Sequence, residues 1–521
     1  MREDWIECEL ETVASKITKG STPTSYGYKF QTSGINFIKI ENVKKGIINT
    51  SGMVNFISKE AHDSQERSKL SKDDILFSIA GTIGETCLVT EDVLPANTSQ
   101  AFAIISGFNK CLIPGFLRLQ FESFVVVKVK SKARGGAMNN VSLGDLKALI
   151  TIFPPLPEQR AIVAKIEELF SSLDSGIADL KKAQEKLKIY RQAVLKKAFE
   201  GEFTKEWRAK QANLSTADQL LEQIKEERQN HYKQQIEDWK KAVKDWEANG
   251  MEGKKPSRIS KPNIISDVKD SDVEKYDGIP LEWYWARFGN VTYKIGDIDH
   301  KMPKVQEGGL PYLSTGNIKK DGSIDLEGAK TISRVDFDRL ALKIKPERGD
   351  IIFPRYGTIG RNVLIDFDKE FLVSYSCAII KNITKLMDAK FALYYSLSPI
   401  IKNEIKRYTV ETTQANIGIA SIELFVYPLC SKEEQHQIVQ EIESRLSVCD
   451  KVEESIVESL EKSKALRQSI LKKAFEGRLL NEQELAACKS APDYEPAAVL
   501  LKRIKEEKAT GVKKGQLARK A

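Results

Sequence analysis

The chain carries much of its own sequence twice, and this duplication constrains its fold more than any other feature. Residues 195–201, Leu-Lys-Lys-Ala-Phe-Glu-Gly, recur letter for letter as residues 471–477, 276 positions later. Upstream at the same offset, Gly-Thr-Ile-Gly occurs at 81–84 and again at 357–360. Because an ordered series of matches at a nearly constant offset does not arise by chance, we predict two copies of one unit within the 521 residues.

Each copy begins with short β-rich runs and turns and ends in a long helical stripe. Residues 34–40 and 350–353 are typical of strands bounded by glycine and aspartate. From 158 to 199, apolar residues recur at steps of three and four, which predicts one helix about 60 Å long. Pro157 suits the first turn of this helix, and Gly201 suits its C-terminal cap.

A long helix with one apolar stripe needs a partner, and the second copy of the same helix is the obvious one. Residues 158–180 carry two basic and five acidic side chains, whereas 181–199 carry seven basic and one acidic. An antiparallel pair would place the acidic half of each helix beside the basic half of the other. The alternative is that the charges of each helix complement its own macrodipole. We favour the antiparallel pair, and we assign Phe199 and Phe475 to packing at the helix ends rather than to a partner contact.

The predicted fold class is α+β, with two similar mixed α/β domains separated by two long antiparallel coiled-coil helices and an internal pseudo-two-fold repeat. The connector is rich in Glu, Lys and Gln over 215–247, which predicts an exposed helix, and a polar segment that resembles a flexible tether follows. The expected divisions are mixed domains at 1–155 and 281–430, long spacer helices at 156–201 and 431–477, a helical and flexible linker at 202–280, and a C-terminal tail at 478–521.

Composition excludes several classes of protein. The 81 Lys+Arg and 73 Asp+Glu residues give a net charge of +8, which is compatible with nucleic-acid binding but does not argue for it. The seven cysteines include no C-x-x-C pair and the four histidines no H-x-x-x-H pair, so neither a disulfide framework nor a zinc site is expected. The sequence shows no P-loop, no amino-methyltransferase motif, no signal peptide and no apolar run of membrane-spanning length, so we expect a soluble, cytoplasmic protein.

Several motifs together resemble the specificity subunit of Type I restriction–modification systems, in its longer-linker branch, over nearly the whole chain. The motifs are Pro-Leu-Pro-Glu-Gln-Arg at 155–160, the duplicated Leu-Lys-Lys-Ala-Phe-Glu-Gly, Gly-Gly-Ala-Met-Asn-Asn at 135–140, Ile-Pro-Leu-Glu-Trp at 279–283, and the segment 220–228. The second copy departs from this pattern at 412–416, where the paired glycines are missing, so its loop is expected to differ in shape.

This resemblance implies two target-recognition domains, each reading one half of a bipartite, asymmetric DNA sequence through the major groove. It implies helices that separate the two halves and dock two methyltransferase (modification) subunits, which hold the S-adenosylmethionine. Motor–nuclease restriction subunits would add ATP and Mg, and the assembled complex would be an adenine-N6 DNA methyltransferase and ATP-dependent endonuclease. The chain itself would be non-catalytic, with no cofactor and no metal.

Candidate DNA-binding residues are polar or basic side chains on loops, because phosphate contacts position a protein on DNA and base-edge contacts specify the sequence. The alternation of basic residues at 128–134 suggests a strand, but residues 394–405 of the second copy read as a helix, so we expect a helix followed by a loop in both copies. The candidates are Lys16, Lys19, Ser21, Thr22, Lys128, Lys130, Lys132, Arg134 and Asn139 in the first copy, and Arg355, Tyr356, Thr358, Arg361, Lys406, Arg407 and Gln414 in the second.

Alternatives remain open at this point. The basic residues could form an ordinary solvated face, and Tyr356 could belong to the core. A coiled-coil adaptor with two protein-binding heads would have the same layout without a role on DNA. A self-sufficient nuclease would cleave DNA on its own in the presence of a metal.

Overall fold

The computed structural model of the chain describes residues 2–44, 46–51, 53–108, 112–125, 140–253, 255–409 and 416–518. The chain divides into two compact units, Met1–Lys181 with Ile456–Ala521, and Lys182–Ser455. The division passes through both long helices, Leu156–Phe199 and Lys432–Phe475. Each unit therefore takes one mixed domain, the N-terminal part of the helix that follows it, and the C-terminal part of the other helix.

The domain of the first unit is built on a four-stranded antiparallel sheet. Alternate residues of its central strand belong to different core clusters, with Ile75 and Phe77 in one and Leu76 in the other, so both faces of the sheet are buried. The four strands, in sheet order, are Ala14–Lys19, Phe102–Phe108, Ile75–Ser78 and Thr86–Leu88. The smaller sheets are Phe56–Ile57, Ile35–Ile38 and Ala96–Thr98; Ile6–Glu9 with Ile150–Phe153; and Val43–Lys44 with Ile47–Ile48. The α-helices of this domain are Leu10–Val13, Lys59–Ser64, Pro114–Gln120 and Leu143–Lys147.

The domain of the second unit repeats this strand order. Its four-stranded sheet is Thr292–Gly296, Cys377–Asn382, Ile351–Pro354 and Val363–Leu364. The accompanying sheets are Lys330–Ile332, Val305–Leu313 and Leu372–Val373, and Tyr284–Arg287 with Val426–Leu429. The α-helices are Asp270–Val273, Arg334–Ala341, Ala389–Ser396, Pro399–Tyr408 and Ile419–Glu423. The duplication inferred from sequence is thus confirmed in the fold.

The long helices pair antiparallel within each unit, as their charge pattern predicts. In the first unit, Arg467 near the end of the second helix lies 3.0 Å from the Asp174 carboxylate of the first helix, and its guanidinium stacks 4.0 Å from the Phe170 ring. In the second unit, Arg191 near the end of the first helix reaches Asp450 and Glu453 at 2.7 and 2.9 Å. In both cases a basic C-terminal part meets an acidic N-terminal part, which only an antiparallel pair allows.

The first turn of each long helix is fixed by the duplicated Glu-Gln pair. The Trp5 indole donates to Glu158 at 2.8 Å, and Trp283 donates to Glu434 at 2.9 Å. The neighbouring glutamines each accept a backbone N–H and donate to a carbonyl oxygen, and all four Glu and Gln side chains are buried. Each helix is thereby tied to the domain that precedes it.

The last turn of each long helix packs on the domain of the other copy. Phe475 lies edge-to-face on Phe116 at 5.4 Å, and Phe199 lies on Phe391 at 5.1 Å. Gly201 and Gly477 follow with φ of +71° and +75°, the left-handed conformation expected of the C-terminal cap. The sequence-based assignment of both phenylalanines to packing is confirmed.

The linker differs from the flexible tether expected after its helix. The helix Ala217–Ala248 is followed by a segment that runs back along it: the Trp246 and Trp239 indoles donate to the carbonyl oxygens of Gly253 and Pro256, at 3.3 and 3.0 Å. Arg228 then donates to the carbonyl oxygen of Asn263 at 3.2 Å, nearer the start of the helix. Aromatic side chains spaced seven residues apart hold the polar segment against one face of the helix.

The segment beyond the second long helix is packed rather than a free tail. It forms the helices Glu482–Lys489 and Ala497–Ala518, and Leu500 and Ile504 are buried in the core of the first unit. Leu220 and Ile224 of the linker occupy the matching place in the core of the second unit. The shared Leu-Leu-x-x-Ile pattern of the two segments thus reflects a shared packing role.

We predict that Phe475→Ala and Phe199→Ala destabilise different units. Removing a buried aromatic ring costs about 3–5 kcal/mol, so Phe475→Ala should speed amide hydrogen exchange in Pro114–Gln120, and Phe199→Ala should speed it in Ala389–Ser396. Ile189→Ala, at an exposed side chain on the first long helix, is the control. If each variant loosened both segments equally, the division of the core into two units would be wrong.

Candidate DNA interface

The candidate interface centres on the duplicated tight turn at 81–84 and 357–360. Both glycines of each turn have φ between +67° and +92°, where a side chain would be strained. Each turn follows the central strand of its sheet, and the chain returns to it through isolated β-bridges, Ala80 with Asn140 and Tyr356 with Asn416. The repeated asparagine therefore marks where the chain returns to the turn.

In the second domain the predicted residues around this turn divide into surface and interior groups. Arg361 is exposed, and Tyr356 and Thr358 are half-buried. Arg355 differs from the expectation of a DNA contact because it is only 5% exposed and its guanidinium lies 3.3 Å from the buried Asp297 carboxylate. Arg355 thus has an internal ion pair and supports the turn from beneath.

Lys406 and Arg407 lie in the last turn of the helix Pro399–Tyr408, and both are exposed. The single helix predicted over 394–405 is interrupted at Leu397 and Ser398, after the helix Ala389–Ser396. The Arg407 guanidinium is 3.0 Å from Asp272, which also binds Arg287. Burial would raise the pKa of Asp272, but the Lys269 amide and the two guanidinium groups outweigh it and lower this pKa to about 2. Arg407 therefore anchors the end of the linker, and Lys406 is the cation that remains at the surface.

In the first domain, Lys16 and Lys19 are exposed on the strand Ala14–Lys19, and Thr22 is half-buried just beyond it. Ser21 differs from the other members of this loop because it is buried and its hydroxyl donates to Gln65 at 2.9 Å. The remaining candidates fall outside the described residues: Lys128, Lys130, Lys132, Arg134, Asn139 and Gln414.

Sequence reasoning missed a ring cluster beside Tyr356. His300 stacks on Tyr375 with ring centroids 4.7 Å apart, and Tyr375 meets Tyr356 edge-on at 6.3 Å. The three residues come from separate loops, so no local motif joins them. The one available signal was the scarcity of histidine, with four in 521 residues.

Two searches of the described ranges bear on other functions. They contain no helix that is both long and apolar enough to cross a membrane. They also contain no group of three or more His, Cys, Asp or Glu residues placed to hold a metal ion.

Known proteins share both the sequence and the fold. The profile of the Type I restriction modification DNA specificity domain matches residues 2–188 and 286–462. The chain belongs to this family. It is 25% identical to the Type I restriction enzyme EcoBI specificity subunit of Escherichia coli, over 98% of this chain and 93% of that one. It is 26% identical to the EcoKI specificity subunit of Escherichia coli strain K12, over 97% and 96% of the two chains.

A solved structure described as the structural basis of complex assembly and conformational transition of the type I R-M system shares the fold. It has a TM-score of 0.59 at 17% identity and covers 92% of this chain and 99% of its own. The two matched stretches of the specificity family coincide with the two copies of the repeat. DNA recognition is accordingly the role that the family implies for this specificity subunit.

We predict that Asp272→Asn weakens the second unit in a pH-dependent way. The folded state lowers the pKa of Asp272, so its carboxylate stabilises the fold above its unfolded pKa, and this contribution is lost as the pH falls towards 2. The variant should lose about 1–2 kcal/mol at pH 7, measured by urea unfolding with tryptophan fluorescence, and the deficit should shrink below pH 4. The exposed neighbour Asp270→Asn is the control; an equal deficit at every pH would contradict the ion-pair explanation.

Proposed function

We propose that each mixed domain reads one half of a bipartite, asymmetric DNA target through the major groove. The observation that carries this proposal is that the two domains share one backbone arrangement but differ in the side chain at the equivalent position of the tight turn. The bridge onto the tight turn is made by Ala80 in the first domain and by Tyr356 in the second. Two similar domains with different side chains at the same turn are what a target with two different half-sites requires.

Exposed cations of the two domains supply the attraction to phosphate that any such reader needs. Lys16 and Lys19 are exposed in the first domain, and Arg361 and Lys406 in the second. The long antiparallel helices would set the spacing between the half-sites, since successive major grooves on one face of DNA are about 34 Å apart.

We further propose that the long helices dock two modification subunits. Tyr190 and Leu466 occupy equivalent positions of the two helices, 276 residues apart, and they are 49% and 51% exposed. Exposed apolar patches commonly mark contacts with a partner, and Ile189 beside Tyr190 is exposed as well. Two equivalent positions fit two copies of one partner, which would carry S-adenosylmethionine and the methyl-transfer chemistry, while restriction subunits would add ATP and Mg and this chain would remain non-catalytic.

Sequence selection from random DNA tests the recognition role. The full chain, assembled with its modification subunits, is mixed with random duplexes, and the bound fraction is sequenced. The expected result is one enriched motif with two different halves and a fixed spacer. Absent or sequence-independent binding would favour the adaptor alternative, and metal-dependent cleavage by the chain alone would indicate a nuclease.

We predict that neutralising the surface cations weakens binding without changing the motif. Lys16→Gln with Lys19→Gln, and separately Arg361→Gln with Lys406→Gln, should each lower affinity for all duplexes. Each pair should also flatten the slope of log affinity against log salt by about 2, because each phosphate contact contributes about 0.9. Lys462→Gln with Lys464→Gln, at exposed sites on the second long helix, is the control and should leave the slope unchanged.

We predict that Tyr190→Glu and Leu466→Glu each remove one modification subunit and that the double variant removes both. A buried charge without a partner is costly at an apolar contact. Native mass spectrometry of the assembled complex measures the stoichiometry directly. Lys188→Gln, at an exposed site close to Tyr190, changes the charge by the same amount and should retain both subunits. Full assembly of the double variant would place docking elsewhere on the chain.

A further inference from the structure

The ring cluster of the second domain places an exposed histidine, His300, next to a buried ion pair. Asp297 is 8% exposed and lies 3.3 Å from both the Arg355 guanidinium and the Lys343 ammonium group. His300, whose side chain is 64% exposed, places Nε2 3.5 Å from the same carboxylate. The imidazole thus lies at the surface beside a carboxylate whose position is fixed by its ion pairs with Arg355 and Lys343.

Backbone hydrogen bonds hold the neighbouring loops in the same place. The Arg355 amide donates to the Ser376 carbonyl at 2.8 Å, which joins the start of the tight turn to the loop that carries Tyr375. The Ser374 amide donates to the Leu313 carbonyl at 2.7 Å, and the Cys377 amide donates to the Ser374 carbonyl at 2.9 Å. Tyr375 therefore offers a fixed ring face to His300.

The same hydrogen bonds occur in the first domain and identify the equivalent residues. There the Ile79 amide donates to the Ala101 carbonyl at 2.8 Å, and the Phe102 amide donates to the Ser99 carbonyl at 3.1 Å. Gln100 therefore stands where the second domain has Tyr375. Ile79 and Ala80 likewise replace Arg355 and Tyr356.

Strand register identifies the equivalent of His300. Ile104 pairs with Thr18 in the first domain, and Ile379 pairs with Gly296 in the second. Counting forward four residues from Thr18 and from Gly296 places Thr22 opposite His300. The ring cluster thus belongs to the second domain, although the backbone frame around it is shared by both.

We infer that His300 reads one base of the half-site bound by the second domain, with Tyr375 as its platform and the Asp297–Arg355 pair as its positioning support. This inference rests on the proposed function. In the tautomer whose Nε2–H points at Asp297, Nδ1 is an acceptor. Within the described part of the chain Nδ1 makes no hydrogen bond. An acceptor in the major groove pairs with an exocyclic amino group, so the base is adenine or cytosine.

The test is sequence selection from random duplexes by the complete complex, with four single variants: His300→Thr, His300→Asn, Tyr375→Ala and Lys301→Ala. His300→Thr installs the residue of the first domain and should reduce discrimination about ten-fold at one position of one half-site, because the contact of Nδ1 with the base edge is lost. His300→Asn keeps an acceptor oxygen near the place of Nδ1 and should retain the preference. Lys301→Ala, at the exposed adjacent residue, should leave the motif unchanged.

Each outcome has a distinct meaning. Relaxation at one adenine or cytosine position by His300→Thr alone supports the inference. An unchanged motif, or a uniform loss of binding to all duplexes by a variant with wild-type circular dichroism, overturns it and leaves the proposed function standing. If His300→Thr fails to fold, Tyr375→Ala decides: relaxation at a single adenine or cytosine position supports the inference, and an unchanged motif overturns it. A wild-type complex without any sequence preference overturns the proposed function itself.

Discussion

The architecture depends on a buried carboxylate at the start of each long helix. Glu434 accepts hydrogen bonds from the Trp283 indole, from Arg208 at 2.7 and 2.9 Å, and from the Thr204 hydroxyl at 2.7 Å. A charge removed from water is tolerated only when it is paired and hydrogen-bonded, so these partners must be in place when the helix docks. Arg208 and Thr204 follow the first long helix, whereas Trp283 opens the second domain. One side chain thereby joins three parts of the chain.

The first copy reaches the same result with different partners. Glu158 accepts from the Trp5 indole, and its arginine is Arg2, 3.8 Å away, which comes from the start of the chain rather than from a segment after a helix. In each unit the arginine packs on the glycine that follows the other long helix, Arg2 on Gly477 and Arg208 on Gly201. A Cβ at either glycine would come within 2.7 Å of the arginine side chain. Each junction therefore joins a Glu of one repeat to the Gly of the other, Glu158 to Gly477 and Glu434 to Gly201.

Features that repeat in the sequence were predictable, and features that depend on non-local partners were not. The two helices, their glycine caps and the packing of Phe199 followed from periodicity and identity. The burial of Arg355 and Ser21 did not, because their partners Asp297 and Gln65 lie 58 and 44 residues away and no local pattern marks them. The linker segment was expected to be flexible because it is polar, yet indole N–H groups bind its backbone carbonyls, an interaction that composition does not report.

The shared frame explains how recognition can change while the fold persists. Loop 374–376 is held by hydrogen bonds between backbone atoms, and the first domain repeats two of them, so its side chain can differ between the copies, as Gln100 and Tyr375 do, without loss of the sheet. The helix ends allow no such freedom, because the core of each unit includes a phenylalanine from the other repeat. Substitution within the turn loops therefore changes the surface of one domain only. Replacement of a whole domain must instead preserve the phenylalanine on which the last turn of the other repeat's helix packs. This residue is Phe116 in the first domain and Phe391 in the second.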